Sequence, residues 1–169
     1  MKSTILSILV MLVAVTTLEA QQRYMVVDSK KIFDANEEYQ AAVKRLNIES
    51  KAYQLKVDEC FDEVERAFNS YMARRSSLSV SQRANYESRI QQSEDEAKAY
   101  QQSVFGDNGT LSQRQQELLE PIQRRIMSAI EKYAEEENYD MVLDAATMPS
   151  LLYRSKDIEK TDEIIKKLK

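Results

Sequence analysis

The chain of 169 residues contains no histidine, no tryptophan and a single cysteine, Cys60. Without histidine it has neither a Ser-His or Cys-His nucleophile nor a histidine-based metal site, and one cysteine cannot form a zinc cluster or an internal disulfide. No phosphate-binding loop is present either. We therefore expect no enzymatic activity, no catalytic residues, no metal site and no cofactor. Cys60 is either a small core residue or a reactive thiol, and its position on an apolar seam favours the first interpretation.

Glycine and proline are also scarce, with two of each. Because few residues can make turns, we expect few and long elements, and the supply of Glu, Gln, Lys and Arg favours helix. The formal net charge is -4. A mildly acidic chain is not expected to bind nucleic acid.

The longest pattern in the sequence runs from Tyr39 to Tyr71. Residues recur there at alternating steps of four and three, a heptad seam with one clearly polar member, and a second helix must cover it in a left-handed supercoil. The seam residues are Tyr39, Val43, Leu46, Ser50, Tyr53, Val57, Cys60, Val64, Ala67 and Tyr71. One helix over residues 36–75, opened by a capping box of Asp34 and Glu37, would be roughly 60 Å long. Such a helix exceeds a small globular domain and should project as an arm.

The sequence after this helix predicts a return leg. Residues 76–79 form a polar turn, Ser79 and Gln82 form a capping box, and a helix over 80–104 carries a thinner seam. Two glycines at 106 and 109 break the helix, and a helix capped by Thr110 and Gln113 follows over 111–137, with Pro121 inside it. We therefore predict an antiparallel coiled-coil hairpin over 36–137, with its tip near 76–81 and a break at 106–110.

Short strand-like segments lie at both ends of this helical stretch, at residues 24–28, 139–144 and 151–154, and Asp157 is expected to open a final helix. The fold class is therefore mainly α with a small β body, an α+β arrangement whose body comprises 21–35 and 138–169. Three short strands are too few for an independently stable sheet. We expect further copies of the chain to complete the body.

Residues 1–20 resemble a secretory signal peptide. Lys2 provides a positive start, residues 5–15 are apolar but too short to span a bilayer, and Ala20 is a small residue at the expected cleavage point. We expect the protein to be exported. An uncleaved membrane anchor is the alternative.

Three segments carry a family resemblance: YMVVDSKKIFD at 24–34, ELLEPIQRRIMSAI at 117–130 and ENYDMVLDA at 137–145. With these segments the chain resembles the Skp/OmpH family of periplasmic chaperones. The resemblance implies a jellyfish-shaped homotrimer whose helical arms enclose a cavity, and ATP-independent holding of unfolded outer-membrane proteins in the periplasm. It also places an oligomerisation body at Val26, Val27, Met141, Val142 and Leu143. The acidic net charge and the break in the return helix depart from the family pattern.

Charges are unevenly distributed along the predicted hairpin. Arginines dominate its tip, whereas residues 58–65 hold five acids and no base. The tip arginines are Arg74, Arg75, Arg83 and Arg89. This pattern is either a solvated helix surface or a positive tip that engages acidic clients, membrane lipid or lipopolysaccharide.

Apolar residues that strict heptad packing does not require are candidate client contacts. They are Phe61, Phe68, Met72, Leu78 and Phe105. Some of them could instead be ordinary flank residues of a coiled coil. The competing hypothesis for the whole protein is a coiled-coil structural spacer or adaptor in the cell envelope, which would have one folded partner rather than many unfolded ones.

Overall fold

The computed structural model describes residues 22–169, so the predicted signal peptide lies outside the described part. The elements, in chain order, are β1 (Tyr24–Val27), α1 (Ser29–Ala35), α2 (Glu37–Arg74), a 3₁₀ turn (Arg75–Ser77), α3 (Val80–Phe105), α4 (Thr110–Glu136), β2 (Met141–Asp144), a 3₁₀ turn (Ala145–Thr147) and α5 (Thr161–Lys167). The prediction of long helices with a small strand component is confirmed. None of the helices within 22–169 combines the length and the apolar character needed to cross a membrane.

Helix α2 is a single element of 38 residues, about 57 Å at the standard rise. It begins one residue later than predicted, because the side chain of Asn36 accepts a hydrogen bond of 2.8 Å from the backbone N–H of Tyr39. The predicted capping box of Asp34 and Glu37 is therefore wrong. Neither Gly nor Pro lies between these ends, so nothing interrupts the backbone ladder.

The predicted seam of α2 is the side of the helix that is buried. Val57 is 1% exposed and Tyr71 is 4% exposed. Every other seam residue is buried or half-buried except Ala67, which is exposed. Burying a side chain such as Val57 contributes about 1.5 kcal/mol or more, so this stripe supplies the main reason for α2 to have a partner along its whole length.

Helices α3 and α4 together cover that seam. As the residue number rises along α2, the number of the residue that contacts it in α3 or α4 falls, so both helices run antiparallel to α2. The side-chain contacts that establish this direction are Glu38 with Arg125, Glu49 with Arg114, and Tyr71 with Glu87.

The Glu49–Arg114 contact is the clearest tie between α2 and α4. Arg114 approaches both carboxylate oxygens of Glu49, at 3.0 and 3.2 Å, and Arg45 donates to the same carboxylate at 2.9 Å. Hydrogen bonds from Arg114 and Arg45 hold the pKa of Glu49 at about 2. The pair therefore stays charged at every physiological pH.

The helix break between α3 and α4 falls where the glycines predicted it. A side chain at Gly109 would place its Cβ 2.4 Å from the carbonyl oxygen of Val104, and this close approach of two backbones requires glycine. The predicted cap by Thr110 and Gln113 is wrong. Gly109 occupies the N-cap without a side-chain bond, and the Thr110 hydroxyl lies 3.4 Å from the carbonyl oxygen of Ser103.

The two strands pair in parallel, with Tyr24 opposite Met141 and Val27 opposite Asp144. A parallel pair needs a crossover connection, and α1 to α4 form it. The predicted third strand over 151–154 is wrong, since that segment has no regular structure. Instead, residues 158–160 pair with the free side of β1.

Two backbone hydrogen bonds define this late pairing. Val26 donates to Ile158 at 2.7 Å, and Lys160 donates to Val26 at 2.9 Å. The predicted opening of the last helix at Asp157 is also wrong, because this pairing occupies 158–160 and α5 starts only at Thr161. Strand β1 is thus enclosed on both sides by sequence from the far end of the chain.

The most deeply buried part of the core lies where β1, α1 and α5 meet α4. Met25, Ile32 and Ile164 are fully buried and Ile126 is 1% exposed. They come from β1, α1, α5 and α4 respectively, so closure of this core requires residues that are more than one hundred positions apart. The body and the root of the helices therefore share one apolar cluster.

Polar groups hold the same junction. The carboxylate of Asp144 accepts hydrogen bonds from the Ser29 backbone N–H at 3.0 Å, the Ser29 hydroxyl at 2.6 Å and the Ala146 N–H at 3.0 Å. Partial burial alone would raise the pKa of Asp144, but these donors outweigh it and lower the pKa below its ordinary value. The hydroxyl of Thr161 similarly accepts from the Asp28 N–H at 2.8 Å.

Replacing Asp144 by Ala should lower the free energy of unfolding at neutral pH by about 1–3 kcal/mol, because the half-buried donors of Ser29 lose their acceptor. A depressed folded-state pKa contributes stability above the unfolded pKa, near 3.9, and that contribution is lost as the pH falls through the folded value. The deficit of Asp144→Ala should therefore shrink below about pH 4. Urea unfolding at several pH values measures it. The exposed Asp157→Ala is the matched control and should be neutral; an equal effect from both would contradict this role.

Candidate functional site

An open groove lies between α2 and α3 close to the turn that joins them. Its volume is about 370 Å³, and its apolar walls include Phe68, Met72 and Ile90. Phe68 and Met72 are each 48% exposed. The groove is thus a surface on which an apolar side chain of another molecule can be covered, rather than an enclosed pocket.

Tyr71 forms the floor of this groove. Its ring is 4% exposed and stacks against Tyr86 with the ring centroids 6.0 Å apart. Its hydroxyl donates to the carboxylate of Glu87 and accepts from Nε of Arg75 at 3.3 Å. One buried aromatic residue therefore joins the two helices and holds the charged groups at the edge of the groove.

The four predicted tip arginines lie around the same turn. Arg74 donates to the Ser70 hydroxyl at 2.8 Å, and Arg83 donates to the carbonyl oxygen of Leu78 at 3.1 Å. Arg89 is exposed on α3. Within 22–169, none of the four forms an ion pair with an acidic side chain. Their positive charge is therefore not compensated by a direct partner.

The other candidate client residues are more dispersed. Phe61 and Leu78 are half-buried, and Phe105 is 37% exposed at the end of α3, beside the helix break. The structure brings Phe68, Met72 and Arg75 into one groove. The candidates Phe61, Leu78 and Phe105 lie outside it.

Several exposed apolar residues on the helices were missed by the sequence reasoning. Ile48 is 61% exposed, Leu55 is 70% exposed, Val80 is 82% exposed and Met127 is 48% exposed. The heptad pattern could have predicted that Ile48 and Leu55 are exposed, since both occupy the heptad position farthest from the seam. An apolar residue at that position is not explained by packing against the helix partner.

The residues predicted for oligomerisation divide into two groups. Val26 and Val27 are 1% and 2% exposed and belong to the core of the chain itself. Val142 and Leu143 are half-buried, whereas Met141 is 53% exposed. Only the β2 residues of this set are therefore accessible to another molecule.

The largest apolar exposure of the body lies elsewhere. Leu152 is 96% exposed and Tyr153 is 82% exposed, and both belong to the irregular segment between the second 3₁₀ turn and residue 158. Tyr24 and Met141 are also exposed, and they line a separate small cavity of about 240 Å³ at the β2 edge. No group of three acidic or cysteine residues within 22–169 is arranged to hold a metal ion.

Comparison with known proteins gives a family and a fold. A family model described as "Outer membrane protein (OmpH-like)" matches residues 23–168. No curated protein sequence matches the chain. Among solved structures, the chain is similar to a candidate outer membrane chaperone (OmpH-like) from Caulobacter crescentus CB15, with a TM-score of 0.69 and 11% sequence identity. The match covers 88% of this chain and 85% of that chain, and at this identity it concerns the fold.

Replacing Tyr71 by Ala should loosen the groove without unfolding the body. The loss of a buried aromatic ring costs about 3 kcal/mol or more where the cavity cannot collapse, and the effect should be local because the groove is far along α2 from the core cluster. Hydrogen exchange should accelerate over residues 68–90 and stay unchanged at β1 and α5. Phe68→Ala is the matched control, since its ring is half exposed. Uniformly faster exchange would contradict the assignment.

Proposed function

Because the chain belongs to the OmpH-like outer membrane protein family, we propose that it is a periplasmic chaperone that holds unfolded outer-membrane β-barrel proteins without ATP. The signal sequence predicted over 1–20 would direct its export. Holding means that exposed apolar segments of the client are covered until the client reaches its membrane. No chemical step is needed, and nucleotide is not required.

The open groove at Phe68 and Met72 is the observation that carries this proposal. Its walls are apolar and half exposed, and Arg75 and Glu87 lie at its edge. Such a surface can cover many different apolar side chains but cannot impose one geometry on them, which is what binding of unfolded chains requires. Phe61, Leu78 and Phe105 would extend the contact along the helices at lower exposure.

The tip arginines would act on encounter rather than on final affinity. Positive charge that no acidic partner neutralises attracts acidic segments of a client, and attraction of this kind raises association rates and declines with ionic strength. The same charges suit the phosphates of membrane lipid or lipopolysaccharide, with which we propose transient contact. The acidic segment 58–65 would confine this attraction to the tip.

We further propose that the functional unit is a homotrimer. Residues 21–35 and 138–169 would form the oligomerisation body, and 36–137 would project from it as an antiparallel hairpin arm. Within 22–169, β2 pairs only with β1, so one of its edges is open to a strand from a sister chain. Met141 lies on β2 itself, Leu152 and Tyr153 supply further exposed apolar surface on the body, and three arms would enclose a client cavity.

Wild-type protein should suppress the light scattering of a urea-denatured β-barrel protein on dilution, without nucleotide. The combined replacement of Phe68, Met72 and Phe105 by Ser should weaken holding about tenfold, the equivalent of ~1.4 kcal/mol. The melting temperature should change little because these side chains are already partly in water. Val80→Ser removes an even more exposed apolar residue outside the groove and should hold as well as wild type.

Two other results would redirect the interpretation. Unchanged holding by the triple variant would reject the groove but leave the chaperone role intact. A wild-type protein with no effect on aggregation, but with one stoichiometric folded partner, would favour the structural spacer or adaptor.

The combined replacement of Leu152 and Tyr153 by Glu should convert the trimer to monomers, because two charges would have to be desolvated at each interface. Light scattering coupled to size exclusion measures the mass. Val80→Glu places one such charge at the other end of the helix pair and should leave the trimer intact. A monomeric wild-type protein, or a variant that remains trimeric, would contradict the assembly.

A further inference from the structure

The groove near the tip contains the sulfur atom of Met72. This side chain is 48% exposed, and it lines the groove together with Phe68 and Ile90. Phe68 lies four residues before Met72, so the two side chains are neighbours on one face of α2. The thioether is therefore open to solvent and is also one of the few apolar side chains that the groove offers to a client.

The methionines of the described residues differ in exposure. Met25 is fully buried, Met148 is half-buried, Met72 and Met127 are each 48% exposed, and Met141 is 53% exposed. An oxidant dissolved in water attacks a methionine sulfur where solvent reaches it, and the product is the sulfoxide. Exposure therefore makes Met72, Met127 and Met141 accessible to oxidation and protects Met25.

The surroundings of Met72 and Met127 differ although their exposure is equal. Met127 lies on α4 beside an open groove of about 450 Å³, and every other residue that lines that groove is polar or charged. An oxygen added to Met127 joins a surface that is already polar. The same oxygen at Met72 interrupts an apolar wall, because oxidation converts a flexible apolar side chain into a polar one.

We propose that Met72 is an oxidation site, and that conversion of its thioether to the sulfoxide lowers the affinity of the groove for apolar client side chains. The inference rests on the proposed chaperone function and adds regulation of the same groove. The oxidant is a peroxide. The sulfur lone pair attacks one peroxide oxygen, the O–O bond breaks and an S–O bond forms. The proton on the transferred oxygen passes to the departing hydroxide, so hydrogen peroxide takes two electrons from sulfur and leaves as water.

Arg75 gives the new oxygen a hydrogen-bond donor inside the groove. It lies three residues after Met72, on the same side of the helix, and lines the same groove. Its Nε donates to the hydroxyl of Tyr71 at 3.3 Å, and no acidic side chain within 22–169 forms an ion pair with it. The guanidinium can therefore donate to the sulfoxide oxygen. A client side chain that covered this oxygen would have to displace that bond or bury the oxygen without a partner, and both cost free energy.

Treatment of the mature protein with hydrogen peroxide tests the site. Peptide mass spectrometry should find the sulfoxide at Met72 and Met127 and unmodified Met25. After catalase has removed the peroxide, about threefold more oxidised protein should be needed for the same suppression of aggregation, because part of a half-exposed apolar contact is lost. Methionine sulfoxide reductases should restore holding, and the melting temperature should change little.

Two leucine variants assign the effect to one sulfur, because leucine conserves the volume and apolar character of methionine. For each variant the measured quantity is the ratio of holding after peroxide to holding before it. Met72→Leu retains Met127, Met141 and Cys60, and its ratio should stay near one. Met127→Leu retains Met72 and should lose as much as wild type. Oxidation of Cys60 is common to both variants and so does not distinguish them.

A polar substitution tests the same point without an oxidant. Glutamine is unbranched like methionine and carries a polar oxygen near the end of its side chain. Met72→Gln should lower holding by about threefold, as oxidation does. Met127→Gln is the matched control at equal exposure and should hold as well as wild type.

The outcomes distinguish the oxidation site from the chaperone function. A wild-type protein that does not suppress aggregation before oxidation rejects both. If the untreated protein holds clients, three results overturn the oxidation site and leave the function standing. They are equal holding before and after complete oxidation of Met72, an equal loss in Met72→Leu, and protection of Met72 from peroxide while Met127 is oxidised.

Discussion

Burial of one apolar stripe on α2 is the constraint on which the rest of the structure depends. A helix of 38 residues cannot bury that stripe by itself, and no other helix within residues 22–169 is long enough to cover all of it. Two shorter helices, α3 and α4, each cover part of the stripe. The break between them allows each helix to take its own orientation against α2. The ion pair between Glu49 and Arg114 connects α4 to α2 beyond the point at which α3 has ended.

The same constraint explains where functional surface remains. At the root, α2 and α4 share a core with β1, α1 and α5, and apolar side chains there are covered. Farther along, only two helices are in contact, and a pair of helices has little interior. Phe68 and Met72 are therefore half exposed because no third layer lies above them. Exposed apolar surface of this kind arises because the structure is only two helices wide at this point, and such a surface is suited to covering unfolded chains.

Local sequence signals predicted the elements well and their caps less well. The cap at Ser79 and Gln82 forms as a full capping box, whereas the role expected of Asp34 belongs to Asn36. Both residues are good cap formers and lie two positions apart, so local preference alone does not choose between them. The candidate site was predictable only in part, because the sequence indicated the apolar client residues and the tip arginines as two separate groups, and only the structure places Phe68, Met72 and Arg75 in one groove.

The amino-acid sequence alone determined the long seam of α2, the turn near 76–79 and the break at the two glycines, because each depends on residues close together in the chain. Only the tertiary structure decided which segment completes β1. The apolar residues at 151–154 have the stronger strand pattern, yet Val26 pairs with 158–160, and Leu152 and Tyr153 remain exposed. The reason is physical: a backbone pairing across more than 130 residues depends on how α5 packs into the core, and no local propensity contains that information.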